Sequence, residues 1–286
     1  MKTLRTISEL RDHLRAERQA GRTIGLVPTM GAFHAGHVSL MERARQETDV
    51  VVVSLFVNPT QFGPGEDLAA YPRDEARDAA IAAGAGIDVL FAPPVEEVYP
   101  DGFQTTVTVG ALAQPLEGAQ RPGHFDGVAT VVTKLLNMVQ PDIAFFGQKD
   151  AQQALVVRRV ARDLDIPTRI EVCPTVREPD GLAMSSRNAY LAPPERERAI
   201  ALRRALDAAE QAVAAGERDA SAVASAAHAA MARYEIEPEY LALVDAENLA
   251  PVDRIDGETL VALAARVGRA RLIDNTLITT NSNGRP

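Results

Sequence analysis

The sequence predicts an α/β fold, an open parallel sheet with helices on both faces, followed by a small α+β domain. Three observations carry this reading. Short β-branched apolar runs alternate with helical stretches along the first half of the chain. Those runs lack the strict polar–apolar alternation of a sheet with one wet face, as strands buried on both faces do. Beyond Arg187 the texture turns helical and rich in alanine. For 286 residues a soft prior of about 150 residues per domain gives two domains.

The strand candidates in order are Ile24–Pro28, Asp49–Val57, Ile87–Phe91, Ile143–Phe146 and Thr168–Val172. Between them run the amphipathic stretches Val38–Glu47, Asp74–Ala83, Gly127–Met138 and Gln152–Asp163, the last stopped by Pro167. Strand, helix, strand repeated in this way makes a Rossmann-like sheet, which binds ligands beyond the carboxyl ends of its strands. From Pro193 to Arg233 two alanine-rich helices are expected, broken at Gly216–Asp219. Tyr240–Val244, Thr259–Val267 and Arg271–Asn275 read as mostly antiparallel strands. The boundary falls near Thr175, giving domains 1–175 and 176–286, and the polar end Asn281–Pro286 is expected to fray.

Composition narrows the function. With 46% hydrophobic and 24% charged residues the chain is an ordinary globular protein. A net charge of −9 disfavours nucleic acid or an anionic membrane as partner. The single cysteine, Cys173, excludes an internal disulfide and a zinc site of several thiolates. The N-terminus carries charges throughout and cannot be a secretory signal. The longest apolar stretch, Val50–Val57, is far short of the roughly 20 residues that span a bilayer, so a cytoplasmic location is expected. Of 30 basic residues only Lys2, Lys134 and Lys149 are lysine, which makes an internal lysine informative.

Pro28-Thr-Met-Gly-Ala-Phe-His34-Ala-Gly36-His37 follows the first strand and opens a helix. Gly31 and Gly36 allow close backbone approach to a ligand, and unbonded amides at a helix start make a phosphate site. His34 and His37, three residues apart, share a helical face. Two imidazoles there can stabilise charge that grows as a phosphate bond breaks. No acidic residue at ligand spacing accompanies them, which argues against a metal site. His13 and His228 have no such setting and read as structural or merely exposed. This His-x-Gly-His resembles the nucleotidyltransferase superfamily that includes the class I aminoacyl-tRNA synthetases.

Phe145-Phe-Gly147-Gln-Lys149-Asp150-Ala-Gln-Gln153 is a second strand-to-helix passage. Gly147 permits approach of a sugar or base, Asp150 can accept from ribose hydroxyls, and Lys149 offers a compact charge to a phosphate. Its bland alternative is a capped helix start with a surface lysine. In Cys173-Pro-Thr-Val-Arg177-Glu-Pro-Asp-Gly181-Leu-Ala-Met184-Ser185-Ser186-Arg187-Asn188, two hydroxyls and a guanidinium follow a Pro-Asp-Gly turn and suit β- and γ-phosphates. A polar linker is the alternative. Asn58 and Gln61, after the second strand, suit small hydroxyls or a carboxylate. Leu116–Gly127 adds Arg121 and His124 in a Gly/Pro-rich loop, while Lys134 stays uncommitted.

Taken in order, these motifs resemble the pantoate–β-alanine ligase (pantothenate synthetase) family. The likeness runs from about Gly25 to Leu191 and is weaker beyond. Gln148, where the family usually has glutamate, and Phe33, where it has leucine, are departures. The resemblance implies ATP-driven joining of pantoate and β-alanine through pantoyl adenylate. It implies an ATP site at Met30, Gly31, Ala32, Phe33, His34, Ala35, Gly36 and His37. Gly147, Gln148, Lys149, Asp150, Val176, Met184, Ser185, Ser186 and Arg187 complete that site. Pantoate contacts fall on Gln61 and Gln153, Gln61 also lying near β-alanine, and Asn58 and Arg121 are counted with them. His37, His34, Lys149, Ser185, Ser186 and Arg187 are the expected catalytic groups. Mg²⁺ is expected mainly on ATP phosphates, with no residue assigned to it as a ligand. The family is homodimeric, and the Met-Ser-Ser-Arg loop would make the small domain a lid. A nucleotidyltransferase with another acceptor, or a non-catalytic ATP-binding protein on this fold, are the alternatives.

Overall fold

The computed structural model describes residues 1–280, and the expected fraying of Asn281–Pro286 lies outside them. The chain divides into two compact units: residues 1–148 with 152–174, and residues 149–151 with the chain from Thr175 onward.

The first unit begins with β1 (Lys2–Leu4) and α1 (Ile7–Gln19), followed by β2 (Ile24–Thr29), α2 (Ala35–Glu47), β3 (Val50–Leu55), α3 (Glu75–Gly84) and β4 (Val89–Phe91). The short helices α4 (Val95–Val98) and α5 (Glu117–Gln120) precede α6 (His124–Val139), β5 (Ile143–Gly147), α7 (Ala151–Asp163) and β6 (Arg169–Cys173). All pairs are parallel, in the order β1-β4-β3-β2-β5-β6. Leu26, Val27, Val51, Val52, Val53 and Phe145 are fully buried, which explains the unbroken apolar runs. Successive strands run to one side from β2, and β5 returns to pair with its other edge. That reversal is the topological switch point, where a crevice opens at the strands' carboxyl ends.

β1 and α1 are absent from the strands and helices expected from the sequence. β1 has only three residues and pairs with β4 through Lys2 and Val89. For α1 a signal existed: Thr6 and Glu9 form a capping box, Glu9 N–H donating to Thr6 Oγ1 at 3.2 Å.

The second unit holds α8 (Pro193–Arg198), α9 (Ala201–Ala214) and α10 (Ala220–Ala232), then β7 (Pro238–Asp245), β8 (Glu258–Val267) and β9 (Ala270–Thr279). Three helices stand where two were expected, because the run breaks at Ala199–Ile200 as well as at Gly216–Asp219. Asp219 caps α10, accepting the Ala222 amide at 2.9 Å. The strands form an antiparallel sheet, β7-β8-β9. Alanines 205, 209 and 227 are fully buried among Leu202, Leu206, Val223, Met231 and Leu263, so small side chains let the helices pack closely on one core.

Candidate active site

The turn after β2 is held from below by one buried carboxylate. Asp78 on α3 is 1% exposed; its Oδ2 accepts the Ala32 amide and its Oδ1 the Phe33 amide, both at 2.8 Å. Gly31 has φ +88° and Ala32 +54°, so the chain passes through two left-handed residues. A Cβ on Gly31 would stand 2.7 Å from Leu55 Cδ1 and 2.8 Å from Asp78 Oδ2. Gly31 is thus required by the turn and its packing, not only by a ligand.

His34 is the N-cap of α2. Its Nδ1 accepts the Gly36 amide at 3.1 Å, and His37 Nδ1 accepts the His34 amide at 3.3 Å. With Nδ1 accepting in both rings, the hydrogen-bond pattern assigns the neutral proton to each Nε2. The rings lie 4.2 Å apart, centroid to centroid, inclined by 44°. The sequence suggests unbonded amides here. The structure corrects this: Ala32, Phe33, His34, Gly36 and His37 all donate to protein acceptors. What the turn presents in their place is a pair of imidazoles with a fixed tautomer.

A second cluster of the first unit surrounds Gln61. Asn58 is 1% exposed, and its Nδ2 donates to Gln61 Oε1 and to the Gly127 carbonyl, each at 3.1 Å. Tyr99 Oη donates to Asn58 Oδ1 at 2.8 Å. Gln61 Nε2 reaches Met30 Sδ at 3.3 Å, so the turns after β2 and β3 meet. Arg121 grips Glu66 with two bonds of 2.8 Å, and His124 donates to the Gln61 carbonyl at 2.8 Å. Burial, followed by the adjacent Arg121 charge, lowers the His124 pKa to about 4, so the ring is neutral. A Cβ on Gly127 would press on the Thr60 carbonyl and lie 2.6 Å from Gln61 Cα, so α6 and the 58–61 turn touch backbone to backbone. Gln153 is half-buried on the first turn of α7. Its neighbour Gln152 instead holds the 112–117 segment, donating to the Leu112 and Pro115 carbonyls at 2.9 and 2.8 Å.

Lys134 lies over the Phe103 ring, 4.5 Å from its centroid, with its pKa lowered by desolvation. Cys173 is buried and its thiol is pushed up to about 11 by burial and by Glu171, which leaves no reactive thiolate.

In the second unit, Lys149 Nζ lies 3.7 Å from Asp150 Oδ1. A Cβ on Gly147, the last residue of β5, would meet nothing within 4 Å, so protein packing does not demand glycine there. The Pro179-Asp180-Gly181 turn closes a hairpin, with Gly181 at φ +100° and Arg177 bridged to Ala183. Met184 N–H donates to the Val176 carbonyl at 3.0 Å. Ser185 caps the next turn, its Oγ accepting the Arg187 amide at 3.2 Å. Asn188 and Arg196 fasten the hairpin through Glu178, at 2.8 and 2.6 Å.

A parallel sheet with a histidine pair in the β2–α2 turn and a lysine after β5 fits the family that the motifs resemble. The model of that family, pantoate-beta-alanine ligase, matches residues 2–277. The chain belongs to the pantoate–β-alanine ligase family. The pantothenate synthetase of Moorella thermoacetica is 54% identical over 282 residues, covering 98% of this chain and all of its own. That of Thermotoga neapolitana is 52% identical over 279 residues, 97% of this chain. The crystal structure of pantothenate synthetase from Thermus thermophilus is 50% identical, with a TM-score of 0.92 over 96% of this chain and 99% of its own. The pantoate–β-alanine ligase of Francisella tularensis, complexed with Beta-gamma ATP and β-alanine, is 35% identical with a TM-score of 0.81 over 97% of each chain.

Sequence reasoning about this ligase missed Asp78, Tyr99, Glu66 and Asn275. Each acts on a partner distant in sequence, 41 residues for Tyr99 and Asn58 and 46 for Asp78 and Ala32. Asp78 carried one usable signal, an aspartate four residues before Ala82 and so on the same face of α3, the face that is buried.

Proposed function

We propose that this chain condenses (R)-pantoate with β-alanine in two ATP-driven steps. Pantoate and ATP give pantoyl adenylate and pyrophosphate; the amine of β-alanine then displaces AMP and yields pantothenate. The observation that carries this reading is the match of residues 2–277 to the ligase family, with curated relatives 54% and 52% identical across nearly the whole chain.

In the first step a pantoate carboxylate oxygen bonds to the α-phosphorus while the bridge to the β-phosphate breaks. Negative charge grows on the departing pyrophosphate. We assign its stabilisation to His34 and His37 through Nε2–H, and to Lys149, Ser185, Ser186 and Arg187. Fixed donors of this kind need no reorganisation as charge develops. The assignment of ATP to Met30–His37, Gly147–Asp150, Val176 and Met184–Arg187 rests on the family motifs, supported by the open space at Gly147 and the locked imidazole tautomers.

Gln61 and Gln153 take pantoate in this reading, and Gln61 also adjoins β-alanine. Asn58 and Arg121 contribute by fixing Gln61, one through its side chain and one beside its carbonyl. In the second step the amine nitrogen bonds to the acyl carbon, loses a proton, and AMP leaves with the bond electrons. Mg²⁺ accompanies ATP on its phosphates and adds charge neutralisation there. Among the described residues no group of three or more His, Cys, Asp or Glu could hold a metal ion.

The C-terminal unit is proposed to serve as a lid that keeps water from the hydrolysable mixed anhydride. A homodimer and a cytoplasmic location belong to the same proposal; among the described residues no helix is long and apolar enough to cross a membrane. The deciding experiment measures AMP and pantothenate with pantoate, β-alanine, ATP and Mg²⁺, omitting each in turn. Stoichiometric AMP and pantothenate that require every component are expected. ADP as product, or pantoate-dependent pyrophosphate exchange with no amide formed from β-alanine, overturns the reading.

A further inference from the structure

Two consecutive residues of β9, Asp274 and Asn275, are 2% and 4% exposed in a strand whose neighbours Leu272 and Ile278 are apolar core. Each side chain leaves the sheet's own hydrogen-bond ladder to hold another element of the same unit. Asn275 Nδ2 donates to the main-chain carbonyl of Lys149 at 2.9 Å. Asp274 accepts both guanidinium nitrogens of Arg177, at 2.6 and 3.0 Å, and the same Arg177 donates to the Gly181 carbonyl at 3.1 Å. One strand thus grips the backbone beneath Lys149 and the base of the hairpin that leads to Met184–Arg187.

Such groups are costly choices for stability alone. A buried carboxylate–guanidinium pair is often matched or bettered by apolar side chains of similar volume. A buried amide contributes only a modest net hydrogen bond. Their polarity has another use here, because a hydrogen bond fixes direction where apolar packing does not. We propose that Asn275 and Asp274 are positioning residues for adenylation. Asn275 sets the Lys149 backbone, and Asp274 sets the hairpin carrying Ser185–Arg187. The proposal rests on the reading that Lys149 and Ser185–Arg187 meet the phosphates of ATP.

The test is a double-mutant cycle read by pantoate-dependent ATP–pyrophosphate exchange, with thermal unfolding measured beside it. Asn275→Leu keeps the branched heavy-atom shape and removes the donor. It is expected to slow exchange about tenfold, the scale of one lost orienting hydrogen bond, with a modest fall in Tm because the part-buried Lys149 carbonyl loses its donor. In a Lys149→Ala background the same substitution is expected to cost almost nothing further, since its effect passes through Lys149. Should leucine disturb the fold, Asn275→Ala carries the same cycle. Asp274→Asn is expected to raise KM for ATP several-fold and to lose that effect in an Arg187→Ala background. An equal cost of Asn275→Leu with and without Lys149, or no cost at all, overturns the proposal. Normal exchange in Lys149→Ala alone overturns instead the assignment of Lys149 on which the proposal rests.

Discussion

Asp78 Oδ1 accepts the amide of Phe33 at 2.8 Å, and through this bond a helix 45 residues downstream shapes the turn before the histidine pair. The bond and its twin to Ala32 hold a non-glycine residue at positive φ, a conformation that costs about 1–2 kcal/mol by itself.

Replacing Asp78 by Asn leaves one acceptor where two amides converge. A buried amide then loses its partner, at a cost of about 1–3 kcal/mol. Asp78→Asn is expected to lower Tm and to slow pantoate-dependent pyrophosphate exchange. Exchange at the wild-type rate would show that the turn holds its shape without the second bond.

His34 caps α2 through Nδ1, and the proposed mechanism gives it a second, separable function as a donor through Nε2. Asparagine caps helices well but cannot place a second nitrogen where Nε2 stands. His34→Asn should therefore retain most of the stability while slowing adenylation about 10²-fold, the scale for losing one donor to developing charge. A matching fall in Tm and rate would return His34 to a purely structural role.

Gly127 admits no side chain, because α6 lies backbone to backbone against the 58–61 turn. Gly127→Ala must displace Gln61 or the helix, and overpacking of this kind costs about 1–3 kcal/mol. If Gln61 serves pantoate, KM for pantoate rises more than KM for ATP. Equal changes in both would argue against that subsite.

His124 is neutral in the fold because burial and Arg121 lower its pKa from 6.5 to about 4. Between these values the unfolded chain binds a proton that the folded chain refuses, so stability falls as pH drops through that window. The contribution is fully present above about pH 6.5, and about 3 kcal/mol of it has been lost once pH is below 4. His124→Gln is expected to flatten the dependence of unfolding free energy between pH 7 and pH 4, read by urea titration at each pH. An unchanged slope would place the acid sensitivity elsewhere.

Local chemistry was legible where it acts over a few residues. The apolar runs at Val50–Leu55 and Ile143–Gly147 named sheet strands, since burial on both faces leaves that pattern. Pro-Asp-Gly announced a tight turn, because glycine at Gly181 supplies the φ of +100°, and the fold makes that turn the end of a hairpin. His34 and His37 could be named as a pair because one helical turn brings residues three apart together.

Five of the six parallel strands and the family follow from local patterns in the chain. The contacts that hold the turns between those strands come from the fold alone. Asp78 finds the Ala32 amide 46 residues away, Tyr99 finds Asn58 across 41, and Asn275 finds Lys149 across 126. No periodicity encodes such pairs. Each is fixed by the path of the chain and by the cost of burying a polar group without a partner.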